Sequence, residues 1–120
     1  MKALLFVFLG GGLGSLLRYL IGNLLAAQSA FFPWKTLVAN IAGCFLLGIF
    51  TSFLPHHSIS SDTKLLLTTG LCGGFTTFST FSIESIQMLS AGNYIPFLAY
   101  VASSLVCGFG AAYLGMLIVK

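Results

Sequence analysis

The sequence predicts an all-α membrane protein of four transmembrane helices, the third broken at mid-span, forming a single domain over residues 1–120. Three observations carry this. The chain is 58% hydrophobic and 6% charged, with a mean hydropathy of +1.04, whereas a soluble surface needs about a quarter charged residues. Four apolar stretches are separated by short polar breaks, each near the roughly 20 residues that cross about 30 Å of hydrocarbon as a helix. The third stretch carries paired glycines and two β-branched threonines in its middle, at Gly73, Gly74, Thr76 and Thr77. Helices are the expected spanning form because backbone groups in lipid must be satisfied within the segment or in a closed barrel. The strict alternation of a barrel strand is absent from these stretches.

The first helix is expected at about 3–27. Ala27 to Ala30 has the small residues of a cleavage site, but the apolar run is too long for a secretory signal and carries Arg18 near its far end, so it is read as retained. Gly10, Gly14, Arg18 and Gly22 recur every four residues on one face, and small residues at that spacing let helix backbones approach closely. A packing seam is the plainer reading of this face. Arg18 is costly in lipid unless it snorkels or meets a partner. It is either a structural anchor or a charge that draws anions towards a vestibule.

The second helix is expected at about 36–54, after Pro33, Trp34 and Lys35, and ends at Pro55, His56 and His57. Asn40 is its lone strongly polar side chain. The amide has two donor hydrogens and an acceptor oxygen, so it either ties two helices together or offers donors to an anion shedding its water.

The third helix, about 64–89, follows Asp62. Its glycines and threonines predict interrupted helical hydrogen bonding, and irregular backbone at that depth survives only when buried in protein or lining a cavity. Beyond the interruption Phe75, Phe78 and Phe81 are spaced by three, interleaved with Ser79, Thr80 and Ser82, before Glu84. An aromatic stripe is usually packing; hydroxyls beside it make packing alone less satisfactory. A phenyl ring has a positive edge, and edges turned inward beside hydroxyl and amide donors suit a small anion. The fourth helix, about 94–119, follows Ala91, Gly92 and Asn93.

With four spans, Lys2, Lys64 and Lys120 share one side, and Lys35 and Arg18 lie towards the other. Three against two is a weak bias under the positive-inside rule. One fixed topology and insertion in both orientations are evenly matched on charge alone. No basic run is present to grip nucleic acid. Cys44, Cys72 and Cys107 fall on different stretches without metal-ligand spacing and read as small hydrophobes. His56 and His57 read as a solvated loop pair. No nucleophile–base pair, phosphate loop or carboxylate pair can be assembled, so an enzyme is not expected.

Gly10-Gly11-x-x-Gly14-x-x-x-Arg18-Tyr19, then Thr36-Leu37-x-x-Asn40-x-x-Gly43, then the run from Gly70 to Glu84 together resemble the Fluc (CrcB-like) fluoride ion channels over essentially the whole chain. The third run is the specific part. The resemblance implies an antiparallel dual-topology homodimer in the cell inner membrane or plasma membrane, with two fluoride pores and a structural sodium ion at its centre. Phe78, Phe81 and Asn40 match the pore residues, and Arg18 matches the vestibule arginine. The main-chain carbonyls of Gly73 and Thr76 match the sodium ligands, and Glu84 an acidic position of the third-helix motif. A polar track on the fourth helix would include Tyr100 and Ser104; one turn on, Gly108 stands where the family commonly has a hydroxyl, with Cys107 and Ser103 nearby. Fluoride holds its water tightly, so such a pore must replace hydration with donors, and chloride would be excluded by narrowness and donor geometry.

Two other classes compare with this one. A small multidrug-resistance-type proton antiporter also has four helices, but its essential glutamate lies in the first helix, where this chain has Arg18 and no acid. A purely structural membrane subunit leaves the broken third helix unexplained.

Overall fold

The computed structural model describes residues 1–28 and 31–120. Ser29 and Ala30, half of the tetrad resembling a cleavage site, lie outside the described residues. Among the described residues every regular element is helical. Helix α1 spans Lys2–Leu24, α2 Trp34–Phe53 and α6 Tyr94–Ile118. With mean hydropathies of 1.8 to 2.1, the helices Lys2–Leu24, Trp34–His56 (α2 with the turn that follows it) and Tyr94–Ile118 are long and apolar enough to cross a membrane. Large side chains such as Leu4, Phe8, Leu13 and Leu20 on α1, and Leu98, Val106 and Phe109 on α6, are exposed. That surface suits hydrocarbon or another apolar chain, not water.

The third stretch is assembled from pieces. A 3₁₀ turn over Leu54–His56 closes α2, with Pro55 in its first positions. Short α3, Ser61–Leu65, is capped by Ser60, whose Oγ accepts from the Thr63 N–H at 3.2 Å, and Asp62 sits in its first turn where the helix dipole favours an acid. A π-helical segment, Leu66–Cys72, follows, then a single α-turn, α4, Gly73–Phe75. Helical geometry then stops: Thr76 has φ −89° and ψ 156°, and Thr77 φ −148° and ψ 119°. Helix α5 restarts over Phe78–Ser90, with Thr77 Oγ1 accepting from the Thr80 N–H at 3.2 Å as its cap. The interruption therefore falls on the two threonines, and the paired glycines before it stay helical, Gly73 at φ −63° and ψ −39°. β-Branched side chains accept extended backbone readily, and the threonine hydroxyl supplies the cap that starts the next helix. A glycine in the left-handed region, Gly92 at φ 79°, turns the chain into α6.

Two pairings organise the molecule. Helices α2 and α6 pack most extensively, and α1 lies along the π-helical segment and α4. The second pairing needs the glycine face of α1. A methyl on Gly10 would run into the Leu66 carbonyl, and one on Gly14 into the Leu71 carbonyl. Backbones at that separation leave no room for a side chain, so this face is a seam between helices. Gly22 falls beyond it, where a methyl would meet only the Lys35 side chain, at 3.7 Å.

Candidate functional site

Both ends of the interruption are pinned by side chains from other helices. The Thr77 N–H, which would otherwise close a turn onto Gly73, donates to Asn40 Oδ1 at 2.8 Å. Asn40 Nδ2 in turn donates to the Thr77 carbonyl at 3.1 Å. Arg18 Nε donates to the Gly74 carbonyl at 3.2 Å. Asn40 thus ties α2 to the break, and Arg18 ties α1 to it. One Nδ2 hydrogen of Asn40 remains beyond the bond to Thr77.

Cavities lie on either side of this point. The larger, of about 470 Å³, is lined by Arg18, Tyr19, Asn23, Lys35, Thr77 and Thr80 among others, giving it two cations and several hydroxyls. The other is an open groove of about 270 Å³ whose walls include Asn40, Cys44, Phe78, Phe81, Ser104 and Gly108. Thr77 lines both. The interruption is therefore the partition between a cationic vestibule and an aromatic groove.

The aromatic residues do not form one stripe. Phe75 precedes the break and is buried, while Phe78 and Phe81 follow it, with ring centroids 5.9 Å apart and planes at 39°. Phe78 is 78% exposed in the single chain. Phe81 packs on Tyr100 at 5.1 Å. Tyr100 is fully buried, does not line the groove, and donates through its hydroxyl to Glu84 Oε1 at 3.2 Å.

Most hydroxyls near the phenylalanines are taken up locally. Ser82 donates to the Phe78 carbonyl and Ser85 to the Phe81 carbonyl, while Thr80 bonds Thr77. Ser103 is back-bonded to Ala99 at 2.6 Å, which removes it from the polar track on α6, and Cys107 is exposed. Ser104 differs: among the described residues its Oγ is a buried side-chain oxygen with no hydrogen-bond partner, and it lines the groove. Leaving a hydroxyl so placed costs about 1–3 kcal/mol unless something else meets it. Sequence reading passed over Cys44 as packing. Its place one helical turn after Asn40, on the same face of α2, was the available signal.

The carbonyls of Gly73 and Thr76 are released from the helical pattern. The Thr77 N–H goes to Asn40 instead of Gly73, and the Thr80 N–H goes to Thr77 Oγ1 instead of Thr76. Gly73 is exposed, and a methyl built on it meets nothing within 4 Å. Two neutral oxygen donors, one on exposed Gly73 and one on partly buried Thr76, are a donor set that a hard cation accepts, provided further oxygens arrive from elsewhere.

The profile of the CrcB-like protein (camphor resistance) family matches residues 5–116. The chain is 50% identical over 117 residues to a fluoride-specific ion channel FluC of Phocaeicola vulgatus, covering 97% of each. It is 44% identical over 124 residues to the protein of that name from Leptospira interrogans, covering 99% of this chain and 95% of the relative. A third such protein, from Flavobacterium psychrophilum, is 43% identical over 122 residues, covering 100% and 98%.

Proposed function

The chain belongs to the CrcB-like family, and from that membership we propose that it is a fluoride-selective channel through which cytoplasmic fluoride leaves by passive permeation. The observation that carries the reading is the partition at Thr77, with a cationic vestibule on one side and, on the other, a groove lined by Phe78, Phe81 and an unmet hydroxyl. Arg18 and Lys35 on the vestibule wall raise the local concentration of anions. At the partition an anion would exchange water for the remaining Asn40 N–H. In the groove it would meet the positive edges of Phe78 and Phe81 and the Ser104 hydroxyl. Tyr100 backs Phe81 and, with Glu84, fixes its position.

The working unit is an antiparallel homodimer with two pores, in the cell inner membrane or plasma membrane. The exposure of Phe78 and Gly73 in the single chain supports this, because a second copy would cover both. Gly73 and Thr76 carbonyls of the two copies would hold a central sodium ion. When bound, that ion supplies fixed positive charge and rigidity at the symmetry axis. A proton-coupled exporter finds less support, since α1 offers Arg18 where such a protein needs an acid.

The test is fluoride efflux from liposomes carrying purified protein, followed with a fluoride electrode and compared with chloride efflux. Fluoride release without chloride release is expected. No fluoride release from folded, reconstituted protein removes the reading.

A further inference from the structure

We propose that Cys44 is a further lining residue of the anion path, its thiol continuing the row of donors one helical turn beyond Asn40. This rests on the channel reading above, and three observations lead to it. Cys44 follows Asn40 by four residues, so the two stand one above the other on α2, and both line the groove. Across the groove Ser104 and Gly108 form the matching pair on α6. Gly108 has no side chain, and Cys44 Sγ is the atom a methyl there would meet, at 3.8 Å. The thiol therefore stands at contact distance from where a side chain at 108 would begin. The groove also holds a mark of ligand chemistry independent of the cysteine, the buried and unpartnered Ser104 hydroxyl.

The path past Asn40 then runs between Ser104 on one wall and Cys44 on the other. An S–H group is a weak donor on a small, polarisable body. It can turn towards a passing anion without closing the groove, whereas a larger side chain on α2 at this point would fill the space over Gly108. Cys72 and Cys107 have no such place: Cys72 is buried and Cys107 exposed, and neither lines the groove.

The experiment treats wild-type, Cys44→Ala and Cys44→Ser channels in liposomes with methyl methanethiosulfonate. The thiolate attacks the sulfenyl sulfur, a Cys–S–S–CH₃ bond forms, methanesulfinate leaves with the electron pair, and the thiol proton goes to water. Intact-mass and peptide spectra locate the adduct. The wild type should lose most of its fluoride efflux on treatment and regain it on reduction, while both variants should be unaffected. Before treatment Cys44→Ser should conduct at or above the wild-type rate, and Cys44→Ala several-fold more slowly, which a merely space-filling role does not predict. Full efflux with the adduct in place at Cys44, or a Cys44 that stays unlabelled while Cys107 reacts, overturns the proposal. If the untreated wild type carries no fluoride, the channel reading fails, and adduct formation at Cys44 on the same sample still decides whether its thiol faces a water-filled groove.

Discussion

Asn40 and Thr77 hold each other by both edges: Asn40 Oδ1 accepts the Thr77 N–H at 2.8 Å, and Asn40 Nδ2 donates to the Thr77 carbonyl at 3.1 Å. An extended residue between two helices leaves its backbone groups without helical partners, and here one side chain meets both. The amide is thus a substitute for the missing helical turn, and it also lines the groove.

Replacing Asn40 should therefore act on structure and flux together. Asn40→Ala leaves two backbone groups unmet, at about 1–3 kcal/mol each, and should lower the thermal unfolding temperature as well as the efflux rate. Asn40→Asp keeps the acceptor for the Thr77 N–H but sets an oxygen against the Thr77 carbonyl and a charge in the path of an anion. Its efflux should fall further than that of Asn40→Ala. Comparing both rates with melting in detergent separates the two effects, and equal stability with equal flux would sink the clamp.

The two phenylalanines should behave differently from each other. Phe78→Ile and Phe81→Ile both remove a ring edge while keeping apolar bulk, so each should slow fluoride efflux sharply. Phe81 also packs on Tyr100 at 5.1 Å, and its replacement should lower stability. Phe78 is largely uncovered in the single chain, so its replacement should leave stability near the wild-type value. Near-normal flux in both would return them to packing.

The glycine seam yields a stability prediction without reference to transport. Gly14→Ala drives a methyl into the Leu71 carbonyl, backbone that cannot rotate away, and overpacking of that kind costs about 1–3 kcal/mol or more. Gly12→Ala, on the same helix with nothing within 4 Å, should be neutral. Yield of folded protein and its melting temperature check the pair. Equal behaviour would mean that the seam is looser than drawn.

Composition and apolar periodicity made the membrane class and the helical architecture legible, because lipid forces both. The break was legible as a region through Gly73, Gly74, Thr76 and Thr77, but its position was not. Glycine permits irregular backbone without requiring it, and the partner that decides, Asn40, lies 37 residues away in sequence. The same limit applies to the hydroxyls. Ser79, Thr80, Ser82, Ser103 and Ser104 look alike in a sequence, and only packing shows that Ser82 and Ser103 bond their own helix while Ser104 does not. The surroundings of Cys44 were not legible either, because they depend on what faces it, the side-chain-free Gly108.

Orientation can be tested directly. Three basic residues against two give little bias, so an antiparallel dimer needs, and this chain should show, both orientations in one membrane. A single cysteine at Ser58, in a background lacking the native three, should be labelled by an impermeant reagent from both sides. Labelling from one side alone would overturn the antiparallel arrangement. Two lysines added to that loop should shift the ratio and reduce activity.

The proposed central cation makes the sharpest demand on the chain. Gly73 and Thr76 offer main-chain oxygens, so side-chain changes matter only through the backbone or the space they fill. Thr76→Ala loses the bond from Oγ1 to the Cys72 carbonyl at 2.9 Å but keeps the carbonyl, and should be tolerated. Gly73 is helical, and a methyl on it meets nothing in its own chain, so Gly73→Val should leave the single chain folded. At a shared centre, however, the two copies' valines would meet across the axis and hold the carbonyls apart. Gly73→Val should therefore weaken dimerisation and abolish efflux together, measured by light scattering in detergent and by the fluoride electrode. Removing sodium should do the same to the wild type, silencing both proposed pores at once because they would share one ion, whereas a change at Phe78 in one copy would spare the other pore. Liposomes prepared and assayed without sodium decide the matter: efflux equal to that in sodium, with no trapped ion found by elemental analysis, would rule out a required cation.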